Sequence, residues 1–268
     1  VMIDMLLGPR RITKISNKKF FVLKIPTTFE IEIVKNARGL DWNNLIDQYD
    51  EIPERNNLIL QTVLNNLDEK ILIAFKRVET ATRFHSHLSQ IITPYGYKTS
   101  LLVGNVKSCE DANVLVASVS KTSVGFDEMF AIEGFGGKRI NMLILPNSIL
   151  EIQQLAGRAM RCKDYPVIVE FYDKNKNIRS QFNKKKKFYL SRNAEILDVE
   201  ENKSFSWKLI KEKIIETYVS KNITVTDSIE SSSLDDNPDR EEEEVESVSS
   251  SSSYSQEYLS RIAAKFAK

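Results

Sequence analysis

Short apolar runs alternate with helical stretches from residue 71 to residue 171, and nothing else in the chain constrains the fold as tightly. Ile71-Leu72-Ile73-Ala74-Phe75 is the first such run. It is continuous rather than alternating, as strands buried on both faces tend to be. A helical stretch over 78–92 follows, then strands at 99–103, at Val114-Leu115-Val116-Ala117 and at Met142-Leu143-Ile144-Leu145. Ser148 is read as opening a helix, and Pro166-Val167-Ile168-Val169-Glu170-Phe171 as closing the series. Strands that alternate with helices predict an α/β fold, a parallel sheet flanked by helices on both faces.

Upstream, Phe20-Phe21-Val22-Leu23-Lys24-Ile25 reads as a strand and 29–34, with alternating apolar residues, as another. Residues 1–8 read as the end of a helix stopped by Gly8-Pro9, and Pro53 precedes a helical stretch over 54–67. The chain begins with Val1 as though a helix were already under way, which reads as a piece of a longer protein. Residues 204–221 suit an amphipathic helix. Residues 227–256 are too rich in serine and acid to bury the apolar surface that ordering requires, so a disordered linker is expected there. A short amphipathic helix is expected over 257–268. Cys109 and Cys162 form no CxxC, which argues against zinc and against a disulfide framework. His85 and His87, two residues apart, do not share a helix face, so no metal site is expected. No apolar run approaches the roughly 20 residues that span a bilayer, and no signal peptide is visible.

Charge is divided unevenly. Residues 227–257 carry eleven acids and one base, a net of −10, which leaves +11 for the remainder of a chain whose total is +1. A basic body suits a polyanionic partner, and equally suits a merely solvated surface.

Two segments carry chemistry. Gln154-Leu155-Ala156-Gly157-Arg158-Ala159-Met160-Arg161 follows Ser148 and Glu151, which together spell a capping box. On a helix, Gln154, Arg158 and Arg161 share one face, and Gly157 leaves room for another backbone to approach it. Two guanidiniums on one stripe suit a phosphate. The second segment runs from Val114-Leu115-Val116-Ala117-Ser118 through a polar loop to Gly125-Phe126-Asp127. Ligands of parallel sheets bind beyond the carboxyl ends of strands, where Ser118 is expected, and Asp127 suits a ribose hydroxyl. Taken singly, the first segment is also consistent with a solvated helix and the second with an ordinary Asx turn.

In this order, and about thirty residues apart, the two segments resemble motifs V and VI of superfamily 2 helicases. Leu72-Ile73-Ala74-Phe75 resembles motif IV, and Leu102-Val103-Gly104 the later strand-and-glycine motif. Leu7-Gly8-Pro9, Gly39-Leu40-Asp41-Trp42 and Glu54-Arg55-Asn56 resemble the branch that holds large-DNA-virus (poxvirus- or asfarvirus-like) transcript-release helicases and excision-repair or phage-type DNA translocases. The resemblance covers residues 1–198. It implies an inter-lobe connection and the start of a second RecA-like lobe over 1–69, and the body of that lobe over 70–198. A helical extension over 199–226 and the tail follow, matching no known family. It further implies that ATP and Mg2+ are held mainly by an absent N-terminal RecA-like lobe. Arg158, Arg161 and Gln154 would complete the catalytic site, Gly125, Asp127 and Gly157 would touch the nucleotide, and Phe75, Lys76, Gly104 and Ser118 would line a groove for DNA or an RNA:DNA hybrid. Transcription machinery is an implied partner, and an infected cell's cytoplasm (a viral factory) or the virion an implied location.

The sequence departs from the pattern in places. Ser118 stands where threonine is usual, and the stretch between Gly104 and Val114 is short and lacks an arginine often found there. Gly134-Phe135-Gly136-Gly137-Lys138 only imitates a phosphate loop, because Arg139 stands where a magnesium-binding hydroxyl is needed. Asp127-Glu128 imitates a magnesium-binding pair after the wrong strand. Lys184-Lys185-Lys186-Lys187 is read as touching phosphate or as solvated, with Phe182, Phe188 and Tyr189 in the core. A rival reading is a non-catalytic docking module that recruits a polymerase or another partner through the acidic tail. The charge division predicts that deleting residues 227–268 tightens binding of labelled DNA, most visibly at low salt. Equal affinities with and without the tail at two salt concentrations would contradict it.

Overall fold

The computed structural model describes residues 18–37, 39–123 and 126–217. The expected helix end at 1–8, the acidic stretch 227–256 and the helix expected over 257–268 lie outside the described residues, as does Gly125. The chain divides into two units, Val1–Lys213 and Ile214–Lys268. The sheet and the candidate site belong to the first.

Seven strands form one all-parallel sheet: β1 (Phe20–Pro26), β4 (Ile71–Phe75), β5 (Thr99–Leu102), β7 (Val114–Ser118), β9 (Met142–Leu145), β10 (Val167–Tyr172) and β11 (Ala194–Asp198). Their order is β11-β1-β10-β9-β4-β7-β5. Two-residue strands β2 (Lys35–Asn36) and β3 (Gly39–Leu40) pair with each other, as do β6 (Cys109–Glu110) and β8 (Ile132–Glu133). The helices are α1 (Trp42–Asp50), α2 (Pro53–Leu64), α3 (Val78–Ile92), α4 (Val119–Ser123), α5 (Glu128–Ala131), α6 (Gln153–Ala159) and α7 (Lys176–Ser191). Residues 207–217 are also helical. This is the α/β, RecA-like architecture that the alternation and the resemblance predict.

The continuous apolar runs are explained by burial on both faces. Leu72, Ala74, Leu115, Ala117, Leu143 and Leu145 face Leu155, Ala156 and Ala159 of α6 and Phe182 and Tyr189 of α7. On the other face, Phe75 packs on Phe84 of α3 at 5.2 Å between ring centroids, and Phe21 on Trp207 at 5.1 Å. Each fully buried Leu, Ile or Phe contributes about 1.5–3 kcal/mol, so the core does not depend on any single contact.

Three expectations need correction. Residues 29–34 are not a strand. Their backbone meets a side chain instead: Gln48 Nε2 donates to the Glu32 carbonyl at 2.8 Å, and Gln48 Oε1 accepts from the Glu32 amide at 3.0 Å. Phe29 and Ile31 pack against α1, so their alternation reflects contact with a helix rather than a ladder. The series does not close at β10 either, because β11 adds a further strand beside β1 with Ile196 opposite Val22. Of the lysine run, read as touching phosphate or as solvated, Lys185 does neither. Helical spacing turns Lys185 inward with Phe182 and Tyr189, and its ammonium pairs with Glu170 of β10, which also accepts from the Tyr189 hydroxyl. Lys184, Lys186 and Lys187 are exposed.

A buried polar knot fastens the carboxyl ends of the strands. Arg55 of α2 is 1 % exposed, and its Nε and Nη2 donate to the two carboxylate oxygens of Asp173 at 2.9 and 3.0 Å. The same Nη2 donates to the Pro146 carbonyl just beyond β9. Thr27, just beyond β1, donates to Asp173 at 2.7 Å. Burial alone would lower the Arg55 pKa, but the facing Asp173 carboxylate outweighs it and raises the value. Asp173→Ala leaves that guanidinium buried without its partner and is expected to cost about 3–5 kcal/mol. Urea denaturation measures it, and a loss under about 1 kcal/mol would show that the bridge does not hold the fold.

Candidate nucleotide and nucleic-acid site

The predicted site residues fall into two groups. The first lies at the carboxyl edge of neighbouring strands. Phe75 ends β4 and sits in register with Ser118, which ends β7. Lys76 follows directly, and Gly104 lies two residues beyond the end of β5. Gly104 is exposed with φ +55°, a left-handed turn that glycine enters without strain. Phe75 and Ser118 are each 1 % exposed, and Ser118 Oγ lies 3.1 Å from Ser120 Oγ. The segment after Ser118, expected as a polar loop, is the short helix α4, which the Ser118 carbonyl helps to start by accepting from Thr122 Oγ1 at 3.2 Å. Lys76 is half-buried, and its amide donates to Asn147 Oδ1 at 3.1 Å. Burial, and then the like charges of Lys185 and Arg77, lower the Lys76 pKa.

The second group gathers around Asp127. Its carboxylate caps α5 by accepting from the Met129 amide at 3.0 Å. The other oxygen accepts from Arg161 Nη1 at 2.7 Å. Arg139 Nη1 lies 3.5 Å from Asp127 Oδ1 and donates to Glu128 Oε2 at 3.0 Å. Glu128 is 1 % exposed, and its Oε1 accepts from the Ile140 amide at 2.7 Å. The Met129 hydrogen bond, with the charge of Arg161, holds the Asp127 carboxyl below the usual carboxylate range. Arg158 differs from Arg161. Among the described residues its guanidinium makes no ion pair, and its buried Nε has no partner. Burial, and then the like charge of Arg161, lower its pKa.

The helix that carries these arginines is shorter than expected. It starts at Gln153 with Ile152 as its N-cap, and no side chain caps it. Ser148 and Glu151 therefore form no capping box. The chain leaves β9 tied down at Pro146 by Arg55 and at Asn147, whose Nδ2 donates to Asp50 at 2.8 Å, and then buries Ile149 and Ile152. These anchors hold residues 146–152 out of the helix. Arg161 consequently lies in the turn after α6, with its amide donating to the Arg158 carbonyl at 3.1 Å, rather than on a continuous helical stripe with Gln154. Gln154 is exposed. A Cβ at Gly157 would meet nothing within 4 Å, so no other part of the described chain uses the room it leaves.

Glu128, which imitates a magnesium-binding residue in sequence, and Arg139, next to the glycine-rich loop, both belong to this network. A signal was present in the adjacent acids followed by a lone arginine just before the strand β9. The glycine-rich loop holds itself: the Gly136 amide donates to Asp111 Oδ2 at 2.9 Å, and Lys138 Nζ to the Asp68 carbonyl at 2.8 Å. Such a loop has no free amide cradle at Gly136.

No protein-family model matches the chain. It is 26% identical over 202 residues to putative helicase 161L of Invertebrate iridescent virus 6, a match covering 68% of this chain and 44% of that protein. It is 31% identical over 107 residues to putative helicase 055L of Frog virus 3 (isolate Goorha), covering 40% and 24%. The matches thus span less than half the length of each relative. The crystal structure of T4 UvsW superposes on 70% of this chain and 42% of that one, with 14% identity and a TM-score of 0.47. Among the described residues, no helix is long and apolar enough to cross a membrane.

Ser148 Oγ is buried and unpartnered. Ser148→Ala is therefore expected to change stability by less than about 0.5 kcal/mol, whereas loss of a working N-cap costs about 1. Thermal or urea unfolding reads the difference, and a loss of about 1 kcal/mol or more would restore the capping role.

Proposed function

We propose that this chain, a RecA-like lobe of the superfamily 2 helicase type related to putative helicases of large DNA viruses, supplies the arginine side of an ATP site shared between two lobes. The observation that carries the reading is the pair Arg158 and Arg161 beside Asp127: one guanidinium without an ion-pair partner among the described residues, the other held on a partly exposed carboxylate. An unpartnered buried guanidinium Nε suits an anion, and a phosphate oxygen answers its missing hydrogen bond. The acids nearby do not suit Mg2+, because Asp127 and Glu128 are already neutralised by Arg161 and Arg139. This chain thus fits the phosphate end of the nucleotide, and the metal and the triphosphate cradle are assigned to a lobe in the part of the relatives that the chain does not span.

When bound, ATP supplies the phosphoryl group whose transfer powers the cycle. Arg158 and Arg161 neutralise charge that develops on that group, work best done by donors fixed in advance. Gln154 and Gly157 border the same approach, and Asp127, once Arg161 has left it, is free to accept from a ribose hydroxyl. Lys76 and Gly104, at the carboxyl edge of β4 and β5, meet the backbone of single- or double-stranded DNA or of an RNA:DNA hybrid. Phe75 and Ser118 support that edge from beneath and reach the strand only if it opens. Closure of the two lobes on ATP and reopening after hydrolysis would move these grips along the strand. Transcript release or elongation, or DNA repair, in an infected cell is the setting that the sequence resemblance implies.

In the complete two-lobe protein, Arg158→Ala and Arg161→Ala are each expected to lower kcat by about 10³-fold or more while weakening ATP binding far less. Steady-state hydrolysis with nucleotide titration measures both. Parental rates in both variants would remove the arginine side of the site.

A further inference from the structure

We propose that Arg139 is a reserve counterion that lets Arg161 leave Asp127. This rests on the reading of Arg161 as a phosphate-seeking arginine and names what controls its release.

Charge is arranged unequally around Asp127. Asp127 faces two guanidiniums, Arg161 at 2.7 Å on one oxygen and Arg139 at 3.5 Å on the other. Arg161 is the more exposed of the two, with 38 % of its side chain open against 24 % for Arg139, and it lies in a turn rather than in a helix. Arg139 cannot leave as easily. Its Nη1 is also bound to Glu128, which is 1 % exposed and is itself fixed by the Ile140 amide. Phe135 adds a ring 5.1 Å from the guanidinium carbon. One cation is therefore held by a single carboxylate and the other is tethered by two.

A carboxylate that loses its only counterion in a partly buried place opposes the loss. With Arg139 tethered beside it, Asp127 still shares a cation with Glu128 when Arg161 turns toward an arriving phosphate, so the departure costs less although the charge is not fully matched. Without Arg139, Asp127 has Arg161 as its one ion-pair partner among the described residues, and the same departure leaves it with none. Arg139 is thus a positioning residue. It touches neither the phosphate nor the reacting atoms, and it acts by weakening the hold of Asp127 on Arg161.

The test separates this role from simple support of the glycine-rich loop. In the full 268-residue chain, ¹⁵N NMR of the arginine side chains reads how freely the Arg161 guanidinium rotates. Rotation is expected to be hindered in the parent, more hindered in Arg139→Ala, and free in Asp127→Asn, where the helix cap survives because asparagine caps as well as aspartate. Equal rotation in the parent and Asp127→Asn overturns the proposal, whatever the enzyme does. In the two-lobe protein, Arg139→Ala is expected to lower kcat by about fivefold, the size of one partly exposed ion pair. Adding Asp127→Asn is expected to restore kcat to that of Asp127→Asn alone. A defect that Asp127→Asn does not relieve marks Arg139 as structural and overturns the proposal. If Arg161→Ala hydrolyses ATP at the parental rate while the NMR pattern holds, the shared-site reading fails and the counterion relation between Arg139 and Arg161 stands.

Discussion

The bridge between Arg55 and Asp173 is the interaction on which the arrangement of this lobe depends. A guanidinium this deeply buried persists only with its charge matched and most of its donors used. Here the matching groups come from the ends of different strands: Asp173 beyond β10, the Pro146 carbonyl beyond β9 and, through Asp173, Thr27 beyond β1. A second centre, Asp50, accepts from Thr80 of α3 and from Asn147. The side-chain oxygen of Asn147 in turn accepts from the Lys76 amide beyond β4. Four strand ends, β1, β10, β9 and β4, are thereby fixed to helices α1, α2 and α3. The carboxyl edge, where ligands of parallel sheets bind, is rigid because a polar network crosses it.

That rigidity has a consequence for the arginines. The chain leaving β9 is held at Pro146 and Asn147 before it can turn helical, so α6 begins late and ends early, and Arg161 falls in the turn beyond it. Asp127, fixed as the cap of α5, is within reach of that turn. The result is an unequal pair: Arg158 anchored on the helix without an ion-pair partner among the described residues, and Arg161 on a turn with one. An anion entering this group finds one arginine waiting and another that must be released, which suits a site completed only when a second lobe brings the phosphate.

Much of the fold was legible in the sequence, because parallel strands buried on both faces leave unbroken apolar runs. The runs at 71–75, 114–117 and 142–145 fall on β4, β7 and β9. The failures share a cause. Period-two alternation at 29–34 arose from packing on a helix, and Ser148 with Glu151 had the letters of a cap without the freedom to form one. The edge strand β11 is half-buried and mixed in character, so it left little signal. At the site, the residues of both segments could be nominated from their spacing, and Asp127 and Arg161 do meet. What spacing could not tell is that they meet each other, or that Glu128 and Arg139, set aside as incidental, complete the group. Ion pairs between residues 11 and 34 positions apart depend on the fold that joins them.

The central claim is that catalysis is divided, with this chain holding arginines and not the triphosphate. ATP turnover by the purified 268-residue chain, compared with the same chain joined to its ATP-binding lobe, tests it most directly, with and without DNA. The account predicts no turnover by the chain alone and DNA-stimulated turnover by the joined protein. Turnover by the chain alone that Arg158→Ala abolishes would contradict it.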